Sequence, residues 1–211
     1  MKSVVCNLSD RFSVFLAMGK VLDNSNLVSF DNEKLILTDK FDCEIGFADK
    51  KKCHNMPGVL HRAFSIFLFN HQNQVLIHKR SPQKKLWPNY WTNSCCSHPR
   101  KGENLEQAIR RRLSEELGLT CSLQYMYKFI YQARYKNIGA EHELCHVYFG
   151  KTSQKPMPNP NEISEMKWIS IPDLSREIQE NSEIYTPWIK LEWPVICNQF
   201  LSSITTYSGC E

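Results

Sequence analysis

The sequence predicts one α/β (α+β) domain built on a mixed or antiparallel sheet, and three observations carry that expectation. The chain has 211 residues, 42% of them hydrophobic and 23% charged, which suits a single soluble domain with a sizeable core. Short runs rich in β-branched and aromatic residues recur between turn residues, at 61–69, 73–80, 122–134, 143–151 and 165–170. Helical patterns at 104–118, 172–181 and 186–204 fall among them without regular alternation, which argues against a βαβ repeat.

Taken in order, residues 1–30 are weakly patterned. Residues 1–40 read as an extension packed on a domain over 41–204, with 205–211 as a tail. "HRAFSIFLF" (61–69) and "NQVLIHKR" (73–80) meet across a short polar turn and read as a β-hairpin. "KKLWPNYWTNS" is aromatic and broken by Pro88, a loop leading to a short strand. The next helix is signalled at both ends. Asn104 and Gln107 form a capping-box pair, and Gly118 stands where a left-handed C-cap belongs. Between them Leu105, Ala108, Ile109, Leu113 and Leu117 make one apolar stripe. "KPMPNPNE" (155–162) reads as a loop and "PDLSREIQEN" (172–181) as a short helix. "TPWIKLEWPVICNQFLSSI" (186–204) reads as a longer helix, with Thr186 as cap, Pro187 at the first helical position and a kink expected at Pro194.

Composition narrows the function classes. A net charge of +4 is too mild to require nucleic acid, but it permits a basic pocket for a small anion. The longest apolar runs, such as "SIFLF" (65–69), are too short to cross a bilayer. The first ten residues lack the apolar stretch of a secretory signal. Nine cysteines, an odd number without framework spacing, read as reduced thiols and give the cytoplasm as the expected address. A bridge between the neighbours Cys95 and Cys96 would be strained.

Four stretches hold groups that carry chemistry. "WTNSCCSHPR" (91–100) puts Cys95, Cys96 and His98 within four residues. "CHNMPGVLHRAFS" (53–65) holds His54 and His61 on either side of a Pro-Gly break, which can bring both to one ion. In "AEHELCHVYF" (140–149), Glu141 and Glu143 point to the same face of a strand. Such a pair repels unless a cation or proton lies between its members, or it is simply a pair of strand-edge charges. Glu115 and Glu116 project about 100° apart on a helix and can both approach a cation held against a diphosphate. As an isolated pair they equally fit a solvated face. His71 and His78 have no such company and read as surface or core histidines.

The spacing from Arg111 to Leu119, R-x-L-x-E-E-x-G-L, resembles a Nudix box with two departures. Ser97 stands at the first Gly position, and Arg112 replaces a Glu that hydrolases of that superfamily use. Losing that carboxylate and gaining a phosphate ligand argues for holding a diphosphate without hydrolysing it. With "TNSCCSHP", "HRAFS" and "EHELC" in this order, the chain resembles the type 1 isopentenyl-diphosphate isomerases over roughly residues 45–195. The resemblance implies a Nudix-like mixed sheet sandwiched by helices.

It also implies roles. A divalent metal, Mn²⁺, Mg²⁺ or Zn²⁺, falls to His54, His61, His98, Glu141 and Glu143. Cys96 and Glu143 are the catalytic pair, with Tyr131 bonded nearby. Glu116 matches the ligand of a Mg²⁺ bound with the diphosphate, and Lys50, Arg80, Lys84 and Arg112 match the basic residues around it. Trp188 matches an aromatic that lines the hydrocarbon pocket. The implied reaction protonates an alkene and removes a proton from the neighbouring methylene, by way of a tertiary carbocation. Cys96 and Glu143 are the two proton-transfer groups, with His98 expected to favour the Cys96 thiolate. Trp188 faces the cation, and Trp87, Tyr90 and Trp91 are expected either to exclude water or to pack in the core. The partner is then a small diphosphate, with no nucleic acid or membrane, and the chain acts as a monomer. Two other readings compete: a Nudix hydrolase of a nucleoside diphosphate derivative, and a zinc-stabilised module using Cys95, Cys96 and His98.

Overall fold

The structure, a computed structural model, describes residues 26–206. The expected tail and the first 25 residues of the expected extension therefore lie, but for Thr205 and Thr206, outside the described residues. The sheet begins earlier than the sequence suggested. Strand β1 (Lys34–Thr38) lies within the stretch assigned to the extension, yet it pairs with β2 (Glu44–Asp49) and touches the centre of the sheet.

Strand β3 (His61–Phe69) is that centre. One of its edges pairs along its whole length, in parallel, with β8 (Gly139–Lys151). The other edge is shared in succession by β1 at His61, by β6 (Cys95–Ser97) at residues 64–66, and by β4 (Val75–Arg80) at Phe69. The expected hairpin is thus only a turn. β3 and β4 pair at Phe69 and Val75 and then separate. Ser94 holds the fork open, its Oγ accepting from the Leu68 amide at 2.8 Å and donating to the Leu76 carbonyl at 2.6 Å. This places β6 between the two strands. β4 finds other partners, β5 (Trp91–Thr92) and β9 (Ile163–Ile169). β7 (Leu123–Tyr135) forms a long antiparallel ladder with β8.

Alternation along β3 divides the core in two. Phe64, Ile66 and Leu68 face α2 (Leu105–Leu117), packing on Ala108, Ile109, Leu113 and Leu117. Phe67 and Phe69 face the other way, with Val147 and Phe149 of β8, onto α3 (Ile171–Glu180) and α4 (Pro187–Gln199). The chain is a mixed sheet with helices on both faces.

α2 is capped as its sequence indicates. The Asn104 side chain accepts from the Gln107 amide at 2.9 Å, and Gln107 Oε1 accepts from the Asn104 amide at 3.0 Å. Gly118 closes the helix at φ 62°. The last helix differs from expectation. Pro194 sits inside α4 without ending it, the helix stops at Gln199, and a separate α5 (Leu201–Thr206) follows. Thr186 occupies the N-cap position, but its hydroxyl bonds Thr92 Oγ1 at 3.0 Å instead of capping. That bond ties α4 to the strand beside Cys96.

Candidate active site and metal centre

Four elements bring the predicted metal ligands together. The short helix α1 (Lys50–His54) ends in His54, whose Nδ1 donates to the Lys50 carbonyl at 2.7 Å and leaves Nε2 free to face inward. His61 opens β3, its Nδ1 donating to the Val59 carbonyl at 2.7 Å. The parallel register sets His61 beside Glu143, and Glu141 lies two residues before it on the same face. His98 follows β6 and directs Nε2 to Glu143 Oε1 at 2.8 Å. The ring centroids of the three histidines lie 4.7 to 5.1 Å apart.

One ligand atom from each of His54, His61, His98, Glu141 and Glu143 lies within 4.8 Å of all the others, and all five residues are buried. Opposite donors around a hard divalent ion stand about 4 Å apart, so the cluster has the right size. Its unmet bonding points the same way. His61 Nε2, His98 Nδ1 and Glu141 Oε2 are buried with no hydrogen-bond partner. His54 Nε2 and Glu141 Oε2 are 2.9 Å apart without hydrogen-bond alignment. Buried orphans of this kind are rare unless an ion satisfies them. Burial also holds His61 at about 3 and His98 well below its ordinary value, so both imidazoles are neutral, the form that binds metal. Burial opposes ionisation of both carboxylates, but His54 holds Glu141 down at about 2. Glu143 is pushed well up by burial and by the Glu141 charge. The residues fit a divalent ion with three nitrogen and two oxygen donors.

Glu143 serves two surroundings. Oε1 faces the histidines, and Oε2 accepts the Tyr131 hydroxyl at 2.8 Å from across the β7–β8 ladder. Tyr131, Cys96 and Trp188 line one cavity of about 270 Å³ with Glu143, Ser65 and Cys145. Cys96 lies opposite Ser65 in the register. Asn93 Nδ2 locks this strand by donating to Ser65 Oγ, the Ile66 carbonyl and the Cys95 carbonyl. Cys95 points to the opposite face, fully buried against the α2 core. Shielding from water pushes the Cys96 thiol well above its ordinary value, the opposite direction to the thiolate expected beside His98.

Trp188 donates Nε1–H to Thr92 Oγ1 at 2.7 Å. The Arg80 guanidinium lies 5.2 Å from its ring centre and is itself held by the Trp87 and Leu86 carbonyls. Trp87 meets Trp188 edge-on. Tyr90 packs on Tyr135 and supports the wall from behind, whereas Trp91 faces Lys167 and packs with the core under α3 and α4.

A basic rim of Lys50, Arg80, Lys84 and Arg112 lines the same cavity. Lys50, with Nζ bonded to Ser29 Oγ, is brought down to about 8 by burial and by Lys84. Glu116 stands behind this rim, its Oε1 bonded to Arg112 Nε at 2.8 Å. Glu115 is drawn to Arg111 and Arg112, away from the role of a shared cation ligand. One rim residue carries no sequence motif. Glu162 reaches Lys84 and Arg112 from the end of the 155–162 loop. Ser65 and Cys145 were likewise not singled out, although strand alternation from His61 and Glu143 puts both on the cavity face.

Fold and site together define a NUDIX-domain protein: the NUDIX domain model matches residues 59–189. The crystal structure of DR0079 from Deinococcus radiodurans superposes with a TM-score of 0.65 at 25% identity, covering 77% of this chain and 98% of that one. Among curated proteins, Isopentenyl-diphosphate Delta-isomerase 1 of Photorhabdus laumondii is 43% identical over 171 residues, 80% of this chain and 97% of its own length. Isopentenyl-diphosphate Delta-isomerase 1 of Aromatoleum aromaticum is 39% identical over 75% of this chain and 89% of its own. The chain belongs to the isopentenyl-diphosphate Delta-isomerase family within the NUDIX superfamily.

Proposed function

We propose that this enzyme interconverts isopentenyl and dimethylallyl diphosphate, with Cys96 and Glu143 as its two proton-transfer groups. The observation that carries the reading is a cavity with two unlike sets of lining groups. Four basic side chains, Lys50, Arg80, Lys84 and Arg112, line it together with Cys96, Glu143, Tyr131 and Trp188. Such a space takes a short branched hydrocarbon headed by a diphosphate.

The reaction follows from the groups present. One of the pair gives a proton to the terminal alkene carbon, which leaves positive charge on the tertiary carbon. The other takes a proton from the adjacent methylene, and the double bond re-forms one position along. The diphosphate stays attached throughout. Tyr131 fixes the carboxylate orientation through Oε2. A divalent ion held by His54, His61, His98, Glu141 and Glu143, whether Mn²⁺, Mg²⁺ or Zn²⁺, supplies positive charge that sets the proton affinity of Glu143. Trp188 presents a π face to the developing cation. Trp87 and Tyr135 back that wall and keep water from the cation. Lys50, Arg80, Lys84 and Arg112 would bind the diphosphate, and Glu116 would hold the Mg²⁺ that accompanies it.

The hydrolase alternative is not favoured. Arg112 replaces a carboxylate that metal-assisted hydrolysis needs, and the relatives are isomerases. The zinc module fails on geometry, since Cys95 and Cys96 face opposite sides of β6. The same reading takes the enzyme as a cytoplasmic monomer acting on a soluble diphosphate, with neither nucleic acid nor membrane as partner. No helix among the described residues is long and apolar enough to cross a membrane. The domain is read as residues 41–204 with β1 joined to its sheet, flanked by an N-terminal extension and a tail over 205–211.

The test is conversion of labelled isopentenyl diphosphate by wild type, Cys96→Ala and Glu143→Gln, with Mg²⁺ and Mn²⁺ or with EDTA. Wild type converts it, and both variants and the chelated enzyme do not. A metal-supplied wild type that forms no dimethylallyl diphosphate overturns the reading.

A further inference from the structure

The cations that line the cavity do not stand free. Lys50 lies 3.8 Å from Glu33, and Arg112 touches Glu115 and Glu116. Glu162 is shared by two of them, Oε2 on Lys84 at 2.5 Å and Oε1 3.5 Å from Arg112. It is 5% exposed, and it lines the cavity. Its backbone is fixed on two sides. The Glu162 carbonyl accepts from the Ser81 amide at 2.8 Å. The Glu162 amide donates to the Asn159 carbonyl, and the Asn159 amide donates in turn to the Glu116 carbonyl at the end of α2. A rigid carboxylate therefore occupies the space between Lys84 and Arg112 into which a diphosphate oxygen must come.

That placement has a consequence beyond holding two side chains. A diphosphate approaching Lys84 and Arg112 meets the Glu162 charge at the same time. Like charges a few ångströms apart in a buried site repel more strongly than in water. A divalent cation removes the conflict, because Mg²⁺ takes one or two carboxylates together with phosphate oxygens. We propose that Glu162 is a positioning residue that also makes diphosphate binding depend on magnesium, excluding the metal-free anion and admitting its magnesium complex. The inference rests on the reading of this rim as a diphosphate site. It does not require that the chain isomerise anything.

Calorimetry with inorganic pyrophosphate tests it on the full chain, with and without millimolar Mg²⁺. Wild type binds pyrophosphate at least about tenfold more tightly when Mg²⁺ is present. Glu162→Gln binds the metal-free anion about tenfold more tightly than wild type and loses most of the Mg²⁺ effect. The sign separates this from damage, since a merely structural role would weaken binding in both conditions. Glu106→Gln, on the exposed side of α2, removes the same unit of charge far from the rim and leaves the Mg²⁺ effect at its wild-type size. The proposal is overturned if wild type binds metal-free pyrophosphate as well as the magnesium complex, a result that needs no variant to fold. It is also overturned if Glu162→Gln keeps the wild-type Mg²⁺ effect. Failure of the diphosphate reading would look different: wild type would bind pyrophosphate in neither condition.

Discussion

Tyr131 and Glu143 face each other across the β7–β8 ladder, and the tyrosine hydroxyl donates to Glu143 Oε2 at 2.8 Å. With Oε1 turned to the histidines, both carboxylate oxygens have assigned partners. Tyr131→Phe leaves Oε2 buried without its donor. Removing one such orienting bond lowers kcat by about 10- to 100-fold with little change in KM. Steady-state kinetics on the variant check this, and an unchanged kcat would remove Tyr131 from the machinery.

Cys95 and Cys96 differ in what their loss does. Cys95→Ala leaves a small cavity against Phe64, Ile66 and Leu113 and lowers stability by about 1 kcal/mol, while the turnover rate stays at the wild-type level. Cys96→Ala keeps the stability and loses the turnover. Denaturant melts run beside the activity assay separate the two, and the assignment fails if the effects are reversed.

Loading the histidine site raises the melting temperature. An ion that binds only the folded chain stabilises it by about 2.7 kcal/mol at a free concentration about 100-fold above its Kd. Mn²⁺ added to the EDTA-treated wild type raises the melting temperature, and it has no effect on His61→Ala. A wild-type melting temperature indifferent to metal would contradict the fit of the five donors.

His78 gives a pH dependence away from the metal. It is buried where β4 meets β5, its Nδ1 donating to the Ser94 carbonyl at 3.1 Å, and burial lowers it to about 3. In the unfolded chain a histidine titrates near about 6.5. Between these values the unfolded state holds a proton that the folded state lacks, so stability falls as the pH drops from about 6.5 towards 3. The slope is about 1.4 kcal/mol per pH unit for one such group. His78→Gln flattens the acid limb of the stability profile, as urea titrations from pH 7 to pH 4 would show.

Gly118→Ala strains a residue at φ 62°, and the added Cβ would meet Met157 Cε at 2.9 Å. The expected loss is about 1 to 2 kcal/mol. Because Met157 and Asn159 dock the loop that leads to Glu162 on the end of α2, through the Leu117 and Glu116 carbonyls, weaker magnesium-pyrophosphate binding accompanies it.

Much of this was legible where the determinant is local. The Asn104–Gln107 box and Gly118 gave α2 its ends, because caps are made by neighbours in sequence. The five clustered donors were legible only as a set, since His54, His61 and Glu141 taken singly fit ordinary surface or core roles. What escaped depends on distant pairing. The hairpin reading of residues 61–80 failed because β3 spends its free edge on three different strands, and no local pattern records that Ser94 will hold the fork open. Glu162 escaped for the same reason, as a single glutamate in a Pro/Asn loop that matters only once Lys84 and Arg112 arrive from elsewhere. The Thr186 hydroxyl was lost from its cap to a threonine 94 positions away.

The parallel pairing of β3 with β8 has a further consequence. His61 sits opposite Glu143, and Ala63, Ser65 and Phe67 follow opposite Cys145, Val147 and Phe149. A slip of β3 by one residue would turn His61, Ala63, Ser65 and Phe67 to the other face. The five-donor cluster would then be broken, and Arg62 would point where His61 belongs. An ion held by these five donors would therefore act as a checksum on strand alignment: only the correctly threaded sheet brings the donors together, so loading the metal would certify the fold that the chemistry needs.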